Sequence, residues 1–254
     1  MSISSASSHH TSGSLFGKLF GKLFGKKLNY IAVALLILLT LYGLSSSFSR
    51  GVANAWYFNA EFSLNDWAKQ KTIKDEAEYQ QALSAIHKAQ TLDPTHPHYA
   101  HMVGRIMHWG VDMGFEDKRK LAEINQWYLS ATQLRPLWPD PWVDLLRLNN
   151  YLHGYNEQTK YYITQALATG PYIDLVTVGT IEVWLLNWPL LSGKEIELLF
   201  KQFDVATTQP KTLRQVLQFA KDINREKLLC SQLKFNPSYA KQKDSYLYRR
   251  FCLK

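Results

Sequence analysis

The sequence predicts an all-α protein in which a single transmembrane helix precedes a degenerate stack of helical hairpins. Two observations predict this. Residues 28–44 form an apolar run without a single charge. Further on, one grid of residues recurs three times: Ala82, Ile86, Ala89, Pro94, then Ile124, Tyr128, Ala131, Pro136, then Thr159, Ile163, Ala166, Pro171. The steps are always four, three and five. Steps of four and three place side chains on one helical stripe, and a proline five residues later sits where that helix has stopped.

At the N-terminus, residues 1–14 are rich in Ser and include His9 and His10, the composition of a disordered tail. The tract that follows repeats Leu-Phe-Gly-Lys three times. As a helix it would carry Leu and Phe on one side and its lysines on another, suited to an anionic leaflet. Its glycines, one every fourth residue, work against a helix at about 1 kcal/mol each. The plainer alternative is a poorly ordered tract whose lysines only fix topology.

The apolar run comes next. Seventeen residues at 1.5 Å each span about 26 Å, and residues 45–48 extend this towards a full hydrocarbon core. Lys18, Lys22, Lys26 and Lys27 precede it, and the first sixty residues contain no acid. By the positive-inside rule the N-terminus is expected in the cytoplasm and the remainder exported. Ala53 and Ala55 form an Ala-x-Ala pattern that a signal peptidase would accept, but Ala55 lies eleven residues beyond Leu44. An uncleaved anchor is expected, and a cleaved signal peptide is its alternative.

Beyond the anchor, each grid reads as the second helix of a hairpin, and small or apolar residues return at helical spacing after each proline. Val103 and Gly104 follow Pro94; Trp142, Leu145 and Leu146 follow Pro136; Thr180 and Ile181 follow Pro171. Leu92-Asp93-Pro94 and Leu134-Arg135-Pro136 end two helices alike. The prolines are 42 and 35 residues apart, close to the roughly 34-residue period of tetratricopeptide repeats. An insertion over residues 113–120 explains the longer interval. Asn149 stands where an aromatic is usual, and Thr159 where alanine is usual. A fainter fourth unit is expected at Leu198, Val205 and Pro210.

The chain ends with Cys230 and Cys252, on either side of a polar 21-residue loop. In an oxidising compartment such a pair is expected to bond and tie down the tail; two unrelated thiols are the alternative. The loop carries Lys234, Lys241, Lys243, Arg249 and Arg250 among its tyrosines, and is expected to be a solvated face.

Composition narrows the function classes. Half of the net charge of +8 comes from the four N-terminal lysines, so the exported part is too weakly basic to suggest nucleic acid. No nucleophile elbow, Gly-rich phosphate loop, HExxH or CxxC occurs, so no catalytic residue, cofactor or metal is expected. His96, His98, His101 and His108 crowd together, but Arg105 lies in their midst and opposes a cation. A glycosidase would need two facing carboxylates, which local spacing leaves open as a weak alternative.

The most unusual phrase is RPLWPDPW, residues 135–142. Its three prolines hold the turn rigid between two indoles. Arg135, Trp138, Asp140 and Trp142 are therefore the candidates for holding a partner peptide or a sugar, although the indoles would serve equally to fill space between hairpins. Asp140 is expected to cap a helix starting at Pro141, and Arg135 to tie the turn to a carboxylate.

The basic N-terminus, the single span, the Leu92-Asp93-Pro94 helix end, the Arg-Pro-x-Trp-Pro-x-x-Trp phrase at 135–142 and the helix end at 166–171 together resemble the VpsP-type polysaccharide biosynthesis proteins, over most of residues 28–252. The resemblance implies a Gram-negative inner membrane, a periplasmic helical domain and a role in making or exporting exopolysaccharide of the biofilm matrix. It carries over no catalytic residue. The expected domains are then 1–27, a disordered basic cytoplasmic tail; 28–48, the anchor; and 53–254, the periplasmic repeat domain with its disulfide-tied end. The expected function is that of a non-enzymatic adaptor whose partners are polysaccharide synthesis or export proteins, with direct binding of polysaccharide, including an anionic one, as the alternative.

Overall fold

A computed structural model describes residues 26–253, with side chains from residue 30 onward. The Ser/His tail, the Leu-Phe-Gly-Lys tract and the four lysine side chains lie outside the described residues. Among the described residues every regular element is helical. The first helix, α1 (Lys26–Gln70), is long and apolar enough over its first part to cross a membrane, with a mean hydropathy of 2.1 in its most apolar stretch. The chain divides into a first unit ending at Val52 and a second unit comprising residues 53–254.

In the second unit, the closing turns of α1 bury Ala53, Ala60, Leu64 and Trp67, all on one stripe. Trp67 Nε1 donates to Glu78 Oε1 at 3.0 Å, and Lys88 sits 4.1 Å over the Trp56 ring. This stretch therefore pairs with α2 (Glu76–Leu92) as the leading helix of a first hairpin. The proline grid does not reveal it, because the grid marks only trailing helices.

The stack continues with α3 (Pro97–Asp112) paired with α4 (Leu121–Leu134), and α5 (Pro139–His153) paired with α6 (Glu157–Thr169). Next come α7 (Asp174–Leu186) with α8 (Gly193–Thr208), and α9 (Pro210–Asp222) with α10 (Glu226–Phe235). A short terminal helix, α11 (Tyr246–Cys252), lies against α9 and α10. The leading helices of successive hairpins also pack side by side, α5 on α7 and α7 on α9. This is a degenerate tetratricopeptide-like stack.

Every residue of the three grids ahead of the prolines is buried. Ile86, Ile124 and Ile163 each contribute about 1.5–3 kcal/mol by leaving water. The prolines act through the residue before them, since a proline ring pushes its predecessor out of the α region. Asp93 (φ −143°, ψ 83°), Arg135 (φ −145°, ψ 80°) and Gly170 (φ −162°, ψ 59°) consequently adopt nearly one conformation, each still donating its N–H to the carbonyl four residues back. The hairpins are closely fitted. A Cβ on Gly104 would come within 2.6 Å of Tyr128, and one on Gly179 within 2.5 Å of Val143.

The insertion after α3 folds back on the first hairpin. Phe115 stacks on Tyr79 at 5.7 Å, and Tyr79 donates its hydroxyl to Glu116 at 3.0 Å. Burial and that carboxylate push the Tyr79 phenol well above its ordinary range.

Two expectations need correction. The fourth unit lies one residue later than Leu198 and Val205: Leu199, Phe203 and Ala206 form the buried stripe of α8, while Leu198 and Val205 are half-buried. Pro210 follows Ala206 by four residues and opens α9 directly, so only Gln209 separates α8 from α9, where each of the three preceding turns has four residues. Asp140 caps nothing. The helix starts at Pro139 after Trp138, which leaves Asp140 inside the first turn with no side-chain bond to the backbone.

Cys230 on α10 and Cys252 on α11 are joined by a disulfide, with Cα atoms 5.4 Å apart. Tyr239, in the short helical segment Pro237–Gln242, donates its hydroxyl to Asp204 of α8.

Candidate functional site

The 135–142 phrase builds a junction between the second and third hairpins. Trp142 is a core residue; its Nε1 donates to the Pro136 carbonyl at 2.9 Å and closes the turn from inside. Trp138 is half-buried at the junction. His98 of α3 lies on it with ring centroids 4.2 Å apart, and His101 meets it edge-on at 4.7 Å. Arg135 is exposed and reaches no carboxylate: its Nη1 lies 3.2 Å from His98 Nε2. Burial, with the charges of His96 and Arg135, lowers the His98 pKa and keeps that imidazole neutral as an acceptor.

Beneath this surface layer, buried His101 lies 2.7 Å from Asp144 of α5 through Nε2 and Oδ2. Burial raises the Asp144 pKa, but the His101 hydrogen bond and the positive charges of Arg105 and Arg147 outweigh it, so the carboxyl ionises below its ordinary value. His108 takes a third kind of partner, the Tyr128 hydroxyl at 3.2 Å from Nδ1. His98, His101 and His108 thus take different polar partners, although His98 and His101 share Trp138, and among the described residues no three His, Cys, Asp or Glu groups converge to hold a metal ion.

A small polar pocket of about 250 Å³ opens beside Trp138, walled by α1, α3 and the start of α5, and Asp140 faces it. A much larger groove, about 920 Å³, runs across α5, α7 and α9 and is bordered by Lys71. Arg147 Nε and Nη2 donate to Glu182 Oε2 at 3.0 and 2.6 Å and tie the α5 and α7 walls together across Gly179. Leu175, Val178 and Phe219 supply apolar surface. Lys71, Lys211 and Arg214 line the groove with no ion pair among the described residues.

None of the groove residues stands out in the sequence, yet a signal exists. Arg105, Arg147 and Glu182 each follow their proline by eleven residues, so they repeat at the same 42- and 35-residue intervals. Extending the proline register into each leading helix identifies one face of the stack, which lines the small pocket at Arg105 and the groove at Arg147 and Glu182.

No protein-family profile matches the chain, and no curated protein matches it. One similar solved structure comes from a functional characterisation of Pseudomonas aeruginosa pilF. It is 14% identical, with 79% of this chain and 98% of that one covered, at a TM-score of 0.33. So loose a superposition carries nothing about function, and the repeat architecture rests on the helix pairing described above.

Proposed function

We propose that this protein is a membrane-anchored helical-repeat adaptor of exopolysaccharide synthesis or export, with its repeat domain in the periplasm and its N-terminus in the cytoplasm. The carrying observation is the groove over α5, α7 and α9, where Lys71, Lys211 and Arg214, without ion-pair partners among the described residues, and the carboxylates of Asp174 and Asp222 border an apolar strip. Such a surface suits a protein segment that is apolar along its length, with acidic side chains to meet Lys211 and Arg214 and basic or amide ones to meet Asp174 and Asp222. The architecture supplies an extended binding face rather than a reaction pocket, and the anchor raises the local concentration of that face at the membrane. The disulfide accords with an oxidising compartment, and the lysines ahead of the apolar run accord with the orientation.

The test is charge reversal in the groove. Lys211→Glu with Arg214→Glu, in the full-length chain, is expected to abolish co-purification of the envelope partner that the wild type retains and to lower polysaccharide output, without altering membrane abundance or the thermal melt. Unchanged co-purification and output would refute the adaptor reading.

A further inference from the structure

We propose that the small pocket beside Trp138 holds one ring of a glycan chain, a neutral or N-acetylated hexopyranose. This goes beyond adaptor binding, because the ligand is the polymer itself and the site is separate from the groove. The pocket measures about 250 Å³, below the roughly 300 Å³ at which pockets for drug-sized ligands begin, so its capacity is one ring and not a peptide.

Its lining combines two kinds of group that a pyranose requires. Tyr57 and Trp138 line the pocket with aromatic carbon that ring C–H bonds can meet at the ring margins, since His98 already lies on Trp138 and Tyr99 against Tyr57. Glu61, Asn65, Arg105 and Asp140 contribute planar polar ends. A hydroxyl both donates and accepts, so a ring bearing several needs carboxylate acceptors next to guanidinium or amide donors, and this set supplies both.

The site is also fixed before any ligand arrives. Trp138 is held by His98 and His101, and His101 in turn by Asp144. Tyr57 packs on Tyr99 at 5.4 Å and donates to Glu61 at 3.2 Å. Arg105 and Asp140, by contrast, make no hydrogen bond or ion pair among the described residues, so their polar atoms remain for a ligand. Two carboxylates against one guanidinium, with His98 held neutral, disfavour an acidic sugar. The two repeats also supply the pocket from matched positions: His98 and Asp140 each follow their proline by four residues.

The experiment uses the full-length chain in a detergent without a sugar headgroup, titrated with maltohexaose, cellohexaose, the hexamer of N-acetylglucosamine and a mannuronate hexamer. Binding is followed by saturation-transfer NMR and tryptophan fluorescence. Saturable binding of at least one of the first three is expected, weakened about tenfold or more by Asp140→Asn and by Arg105→Gln, and unchanged by Lys211→Ala. Asp140→Asn keeps the shape of the side chain, so it decides the matter if Arg105→Gln melts early. Absence of saturable binding by all three, binding of the mannuronate hexamer alone, or binding indifferent to both pocket variants would overturn the proposal. Loss on Lys211→Ala would move the site to the groove and overturn it as well.

Discussion

Asn149 and Thr159 both interrupt the apolar grid, and each explains the other. Asn149 Nδ2 donates to Thr159 Oγ1 at 2.8 Å and to Asn156 Oδ1 at 2.9 Å, while Thr159 Oγ1 donates to the Gly154 carbonyl at 2.9 Å. Two polar groups that would be costly alone are satisfied together, and they close the turn between α5 and α6. Thr159→Ala is therefore expected to destabilise the protein by about 1–3 kcal/mol although alanine is the better helix former, because it removes an acceptor from a buried amide. A lower urea midpoint at unchanged slope is the measurement, and a double-mutant cycle with Asn149→Ala should be non-additive. A second prediction at this scale concerns His98, whose folded pKa lies below the ordinary 6.5. The unfolded chain then binds the proton more readily, so the contribution is full above about pH 6.5 and is lost as the pH falls through the folded value. The melting temperature should drop on acidification from pH 7, and His98→Gln should flatten that drop. Identical profiles for the two proteins would exclude the assignment. The sequence shows the crowding of histidines but not their separate partners, because His98 meets Arg135, and His101 meets Asp144, only across the junction of two hairpins.

Among the elements, the trailing helices are the most legible. Apolar spacing and the following proline fix both their buried stripe and their end, because the proline acts on the residue immediately before it. The leading helices are less legible: α7 buries Thr177 and Thr180 inside a strongly apolar helix, where Thr180 bonds back to the Val176 carbonyl at 2.8 Å. The second half of α1 escapes notice because no proline precedes or ends it and an apolar segment runs into it. Register slips by one in α8, where Leu198 and Leu199 are equally apolar and only packing selects Leu199. At the far end of the stack, α11 covers α9 and α10 as a terminal cap, the position where a repeat array needs one. Replacing Cys230 and Cys252 by serine is expected to cost about 3 kcal/mol through the entropy of the released chain. It should also expose Arg249 and Arg250 to trypsin while α2–α8 stay resistant. Equal digestion of the disulfide-bonded and serine proteins would show that packing alone holds the cap.

For the whole molecule, the sequence by itself determined the class: a helix able to cross a membrane, then helices paired around an apolar seam at a period near that of tetratricopeptide repeats. Those properties are local. Spacing of apolar residues, a proline's effect on its predecessor and the hydropathy of a continuous run all act within a few turns of one chain segment. Of the candidate site, the sequence supplied the rigid 135–142 turn and its four residues, but assigned Asp140 to a cap and Arg135 to a carboxylate. Only the tertiary structure decided that Trp142 belongs to the core and Trp138 to a junction, that Asp140 faces a pocket shared with α1 and α3, and that Lys71 borders the same groove as Lys211 and Arg214. Those placements depend on which helix lies against which, and that is set by long-range packing, such as the close approach of Gly179 to Val143, which the local spacing of apolar residues does not specify.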